Sequence, residues 1–343
     1  MKKNLTFYLL MSMLVVLSVS LTNCTKEGPA GPAGTNGTNG TDGEDGINGT
    51  DGTATCILCH DNSQNLSAKV NQWEASLHAT GTAFARNTGE CAVCHTSQGF
   101  RGNLDGSFDW TAEGAMISNP NPPNCYTCHN VHDTYTTGDW ALTASGAVAL
   151  RNVTETFDFG TGGLCASCHQ GRTVAPWPVA GGDDITVTNT RYGVHHGPQA
   201  NAIAGLGLFE VGTINRTHAH QNVENTCTTC HMGEASGVTT GGHTFMYNST
   251  GCVSCHSDLT SLATNTEELQ AEVTAMLAEL KLLLDERGIT AAGSDNSLAG
   301  TYPGVVAGAC LNYKALTEDK SFGVHNPTYI KSVLQNSIDA LQN

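Results

Sequence analysis

Six pentads of the pattern Cys-x-x-Cys-His stand in the chain. They run Cys56 to His60, Cys91 to His95, Cys125 to His129, Cys165 to His169, Cys227 to His231 and Cys252 to His256, with second cysteines at Cys59, Cys94, Cys128, Cys168, Cys230 and Cys255. Thiols three residues apart share one side of a helical turn, and an imidazole one position further lies above the first thiol. Such a set can form two thioethers to one porphyrin and offer its iron an axial nitrogen, the chemistry of c-type haem attachment. Competing chemistries fit less well. Disulfides do not explain a histidine after every pair, and zinc knuckles space their ligand pairs differently. A redox dithiol is expected once or twice, beside a βαβ unit. Twelve of the 14 cysteines are therefore assigned to six covalent haems c, with His60, His95, His129, His169, His231 and His256 as proximal iron ligands.

Eight histidines lie outside the pentads: His78, His132, His195, His196, His218, His220, His243 and His325. They fall into six groups, because 195/196 and 218/220 are near neighbours. Six irons and six further histidine sites point to two imidazole ligands per iron, which leaves no coordination position for a substrate. Within the close pairs the reading favours His196 over His195 and His220 over His218, with His195 and His218 kept as alternatives. Met232 and Met246 are weaker candidates as sulfur ligands.

The pentads begin 35, 34, 40, 62 and 25 residues apart, and the 291 residues after Gly52 leave about 48 per pentad. That is too little chain to enclose each porphyrin separately, so the haems must share walls. The expected fold is mostly irregular loops and short α-helices packed around six haems, with C-terminal helices and little β. A helical spacing over 68–84 places His78 and Trp73 on one element. His129 and His132 fall on one face if that stretch is helical, with His132 reaching a different haem from that of His129. Residues 191–207 read as a ligand-bearing turn leading into a short helix, and Gly241-Gly242-His243 as a close backbone approach. A helix is expected over 266–287, with a stripe of Leu269, Val273, Met276, Leu280 and Leu283 and Gly288 as its stop. Two more are expected over 305–316 and from Pro327 to Leu341, the last just after His325. Cys310 reads as a buried free thiol.

The N-terminal region has a different character. Lys2 and Lys3 precede an apolar run ending near Leu21, followed by Cys24, which reads as an export signal over 1–23 with Cys24 as a lipidated N-terminus. Glycine then recurs every third residue from Gly28 to Gly52. This is a collagen-like pattern with little proline, read as a tether over 24–53 that could also join copies of the chain. The haem region is set at 54–262 and the helical segment at 263–343. Lys plus Arg number 15 against 31 Asp plus Glu, a net charge of −16. No basic footprint exists for nucleic acid.

With its six attachment motifs from Cys56 to His256, the chain resembles multihaem c-type cytochromes of respiratory and metal-reducing bacteria. The 195–205 segment, the His243 sequence and the His325-Asn326-Pro327 corner resemble distal-ligand elements of that class. The resemblance implies electron transfer between redox-protein donors and acceptors or extracellular metal species, at the periplasmic side of the outer membrane or at the cell surface. Two alternatives stand beside it. One is a nitrite, hydroxylamine or tetrathionate reductase-like enzyme with one open haem, for which Arg172, Arg191, Tyr192 and the spare of His195/His196 would line a pocket at the Cys165/Cys168 haem. The other is a subunit of an extracellular cytochrome filament, against which the Gly-X-Y segment counts.

Overall fold

The computed structural model describes Cys56, Cys59, His60 and residues 64–343. The export signal, Cys24 and the Gly-X-Y tether lie outside the described residues. Short elements dominate the first half: α1 Gln64–Glu74, α2 Leu77–Thr80, α3 Gly89–His95, α4 Ser97–Asp105 and α5 Cys125–Cys128. An antiparallel ribbon, β1 Ala147–Ala149 with β2 Thr156–Asp158, leads to α6 Gly163–Cys168. After β3 Ile185–Val187 come α7 Gln199–Ala204 and α8 Cys227–His231. The C-terminal part holds α9 Leu259–Glu286, β4 Gly300–Tyr302, α10 Gly304–Asp319 and α11 Pro327–Gln342. The fold is thus mostly helix and loop, and its two small ribbons are the named sheets among the described residues.

Three sequence expectations change. The helix expected over 68–84 breaks into α1 and α2, because Ser76 takes an extended conformation between them and its hydroxyl donates back to the Trp73 carbonyl at 2.6 Å. α9 starts well before residue 266: Asp258 accepts from the amides of Thr260 and Ser261, so the helix begins at Leu259. Its buried stripe is Val273, Leu277, Leu280 and Leu284, one position round from the expected set in places, with Leu269, Met276 and Leu283 packed at its edge. The stretch after His129 is not helical. His132 takes a left-handed conformation with φ 63°, so a turn directs it.

The main apolar core joins α9, α10 and α11 to residues 174–214. α10 is buried on almost every side, as expected of a helix at the centre of a bundle. Pro327 opens α11, where Asn326 caps by accepting from the Tyr329 amide and donates to the Arg216 carbonyl at 3.0 Å. β4 pairs with β3 in the register Ile185 with Tyr302, which pins the helical segment to the middle of the chain. Asn312 does the same from α10: its side chain exchanges two hydrogen bonds, 2.9 and 2.7 Å, with the Phe209 backbone. Cys310 is fully buried, and burial pushes its thiol up to about 11. No helix among the described residues is long and apolar enough to cross a membrane.

Candidate metal centres

Each of the five pentads whose residues are all described forms about one helical turn. The histidine amide donates to the first cysteine's carbonyl at 2.8 Å in the pentads of His60, His129, His169 and His256. The pentads ending in His95 and His231 lie within α3 and α8. This turn gathers two thiols and an imidazole on one side, as the spacing requires.

Every pentad histidine faces one histidine from elsewhere in the chain. Ring centroids are 6.2 Å apart for His60 and His132, 6.1 Å for His169 and His78, and 6.3 Å for His95 and His195. They are 6.3 Å apart for His129 and His243, and 6.4 Å both for His231 with His325 and for His256 with His220. Two metal–nitrogen bonds of about 2.0 Å, each continued by about 1.1 Å from nitrogen to ring centre, span about 6.2 Å. All six pairs therefore fit a pair of imidazoles on opposite sides of one iron. Among the described residues no group of three or more His, Cys, Asp or Glu side chains converges as a metal site. A donor set of two imidazoles suits a group that brings its own equatorial ligands.

The hydrogen bonds of the rings support the same fit. Nδ1 of His129 donates to the Trp140 carbonyl at 2.7 Å, that of His231 to the Phe245 carbonyl at 3.0 Å, and that of His220 to the Val324 carbonyl at 2.7 Å. Nδ1 of His169 lies 3.3 Å from Gln199 Oε1, that of His132 lies 3.1 Å from the Tyr126 hydroxyl, and that of His325 lies 2.6 Å from Asp319 Oδ1. A proton fixed on Nδ1 leaves Nε2 as the ligating lone pair. Burial, with His169 beside it, pushes His78 down to about 4. Burial does the same to His195, with His196 beside it, and to His243, with His129 beside it. The neutral ring is the ligating form.

In each close pair only one member faces a pentad histidine. His196, favoured from sequence, faces no pentad histidine: its Nδ1 pairs with Glu318 at 2.8 Å and its side chain is 70% exposed. His195 takes the position, because φ 69° turns its ring toward His95. Sequence alternation gave no sign of this backbone reversal. At the other pair, His220 faces His256, whereas His218 caps the following turn by accepting from the His220 amide at 3.2 Å. Two residues expected to line an anion pocket at the Cys165/Cys168 pentad, Arg172 and Tyr192, bond within their own loop. Arg172 braces the segment leading to His195, donating to the Gly193 carbonyl at 3.0 Å, and Tyr192 is buried with its hydroxyl on the Pro176 carbonyl. Both thus belong to the loop that serves His95, and His169 is faced by His78.

Pentads also touch one another. Cys94 lies beside Cys168, Cys165 beside Cys227, and Cys128 near both Cys165 and Cys168. Cys230 lies near Cys252 and Cys255. Phe245 ties three pairs together: its ring meets His78 edge-on at 4.6 Å, lies 6.0 Å from His243, and its carbonyl holds His231. Phe245 has φ 58°, an uncommon conformation for a bulky residue that the surrounding contacts must hold. Neither Phe245 nor Asp319 carries a sequence signal for this role, since both act through contacts made only in the fold. Trp73, on α1, donates its indole N–H to the Pro123 carbonyl at 3.1 Å.

No protein-family model matches the chain, and no curated protein matches it. Among solved structures it is similar to the crystal structure of the outer cell wall cytochrome OcwA, with a TM-score of 0.53 and 20% identity over 80% of this chain and 50% of that one. The chain spans about half the length of that protein. Its fold is cytochrome-like, short helices and loops with little sheet.

Proposed function

We propose that the chain carries six covalent c-type haems, each with two histidine axial ligands, and relays electrons among them. The observation that carries this reading is that all six pentad histidines face a second histidine at one nearly constant separation, 6.1 to 6.4 Å. When bound, haem c supplies a one-electron ferric–ferrous couple. The paired imidazoles hold both axial positions and so favour electron transfer over substrate turnover. Neighbouring cysteines and Phe245 place attachment sites next to one another. They support a branched order in which the Cys165/Cys168 site borders the Cys91/Cys94, Cys125/Cys128 and Cys227/Cys230 sites. The Cys252/Cys255 site lies beyond Cys227/Cys230, and the Cys56/Cys59 site is joined through His132 to the Cys125/Cys128 pentad.

The net charge of −16 favours partners with basic docking patches or extracellular metal species. Export and outer-membrane anchoring through Cys24 belong to the same proposal, and the cell-wall cytochrome it resembles supports export. Cys24→Ala should move the protein from the membrane fraction to the soluble fraction. A Cys24→Ala variant that stays membrane-bound argues against the lipid anchor. Haem content and spin state test the main reading. The purified protein should hold six haems per chain, all low-spin when ferric by electron paramagnetic resonance. A high-spin signal that responds to nitrite or hydroxylamine would overturn it in favour of an enzyme with an open haem.

A further inference from the structure

We propose that Asp319 makes the centre between His231 and His325 the one of lowest reduction potential in the chain; this rests on the bis-histidine reading above. Asp319 ends α10 and is 2% exposed, with Oδ1 2.6 Å from His325 Nδ1. Its other oxygen accepts from the Ser321 amide at 3.3 Å and from the Ser321 hydroxyl. The His325 amide in turn donates to Ser321 Oγ at 3.3 Å, which closes a small ring of contacts around the carboxylate. Lys320, the nearest ammonium in sequence, points toward Glu318 at 4.0 Å.

The other facing histidines with a partnered Nδ1 meet uncharged groups: carbonyls of Trp140, Val324 and Phe245, the Gln199 amide and the Tyr126 hydroxyl. A carboxylate pulls harder on the Nδ1 proton than a neutral acceptor does. It gives the imidazole more anionic character and makes Nε2 a stronger donor. Ferric iron gains more from that donation than ferrous iron. A buried negative charge also favours the more positive oxidation state, because little solvent screens it. Both effects lower the potential of this centre. Its place between the Cys165/Cys168 and Cys252/Cys255 sites gives the effect a consequence. In a partly reduced protein this centre stays oxidised longest, so electrons crossing to the Cys252/Cys255 site pass an uphill step.

Potentiometric titration of the full haem-loaded protein tests this. In Asp319→Asn the lowest of the six one-electron steps should rise by at least a tenfold change in its equilibrium constant, which is 59 mV for a one-electron couple. Haem stoichiometry and low-spin signals should stay as in the parent, and Asp319→Glu should restore the parental step. Ser321→Ala provides a milder variant. Removing a donor from Asp319 sharpens its pull on His325, so the same step should fall. A titration curve unchanged in both Asp319→Asn and Ser321→Ala, or a shift confined to another step, overturns the inference while leaving the bis-histidine reading intact. Fewer than six low-spin haems in the parent protein overturns that reading instead.

Discussion

His195 and His196 are adjacent and chemically identical, yet only one of them faces His95. A left-handed backbone at His195 turns its ring inward, while His196 is held outward by Glu318. The rings are 4.5 Å apart, close enough for His196 to substitute if His195 is lost. The test is therefore a pair of variants. His196→Ala should keep every ferric haem low-spin, and the His195→Ala/His196→Ala double variant should convert one haem in six to high spin. Ring orientations add a second expectation. The pairs His78–His169, His95–His195 and His220–His256 cross at 73°, 68° and 79°, whereas the other three pairs cross at 38°, 36° and 44°. Iron d-orbital splitting depends on this angle, so low-spin signals should divide into two classes of equal weight.

At the scale of elements, close approach is bought by missing side chains. A Cβ on Gly251 would lie 2.5 Å from the Thr229 carbonyl oxygen and 3.0 Å from Cys230 Cα, and one on Gly162 would lie 2.5 Å from Thr226 Oγ1. These two glycines let consecutive pentads rest backbone to backbone. Gly251→Ala should push the last two pentads apart at a cost of about 1–3 kcal/mol. The expected result is a lower melting temperature with altered potentials at the Cys227/Cys230 and Cys252/Cys255 haems. A variant with parental stability and an unchanged titration would show that the contact is dispensable.

Across the whole molecule, apolar burial is uneven. Between residues 64 and 146 the buried apolar side chains are Ala92, Val93 and Phe100, whereas α9, α10 and α11 contribute most of the main core. Each fully buried aliphatic side chain stabilises by about 1.5–3 kcal/mol, so the C-terminal part has a driving force that the first part lacks. Chain made without haem attachment should therefore show rapid amide exchange over 64–146 and retain slow exchange in α10 and α11. Uniform protection, measured by hydrogen-exchange mass spectrometry, would mean that the first part folds without its haems.

The turns of the pentads and the late helices were legible in the sequence because they depend on local spacing. Cys-x-x-Cys-His forms its donor set within one turn, and the expected 305–316 and Pro327–Leu341 helices appear as Gly304–Asp319 and Pro327–Gln342. The start of α9 was misplaced because Asp258 caps a helix that begins at Leu259, seven residues before the expected beginning, and the expected 68–84 helix is interrupted at Ser76. The sequence by itself determined where the six Cys-x-x-Cys-His pentads stand and how many histidines remain outside them. Only the tertiary structure decided which histidine faces which, because each partner comes from a separate segment, as His78 does for His169 and His325 for His231. Such pairings depend on backbone reversals such as the one at His195 and on buried partners such as Asp319, and neither leaves a periodic trace in the chain.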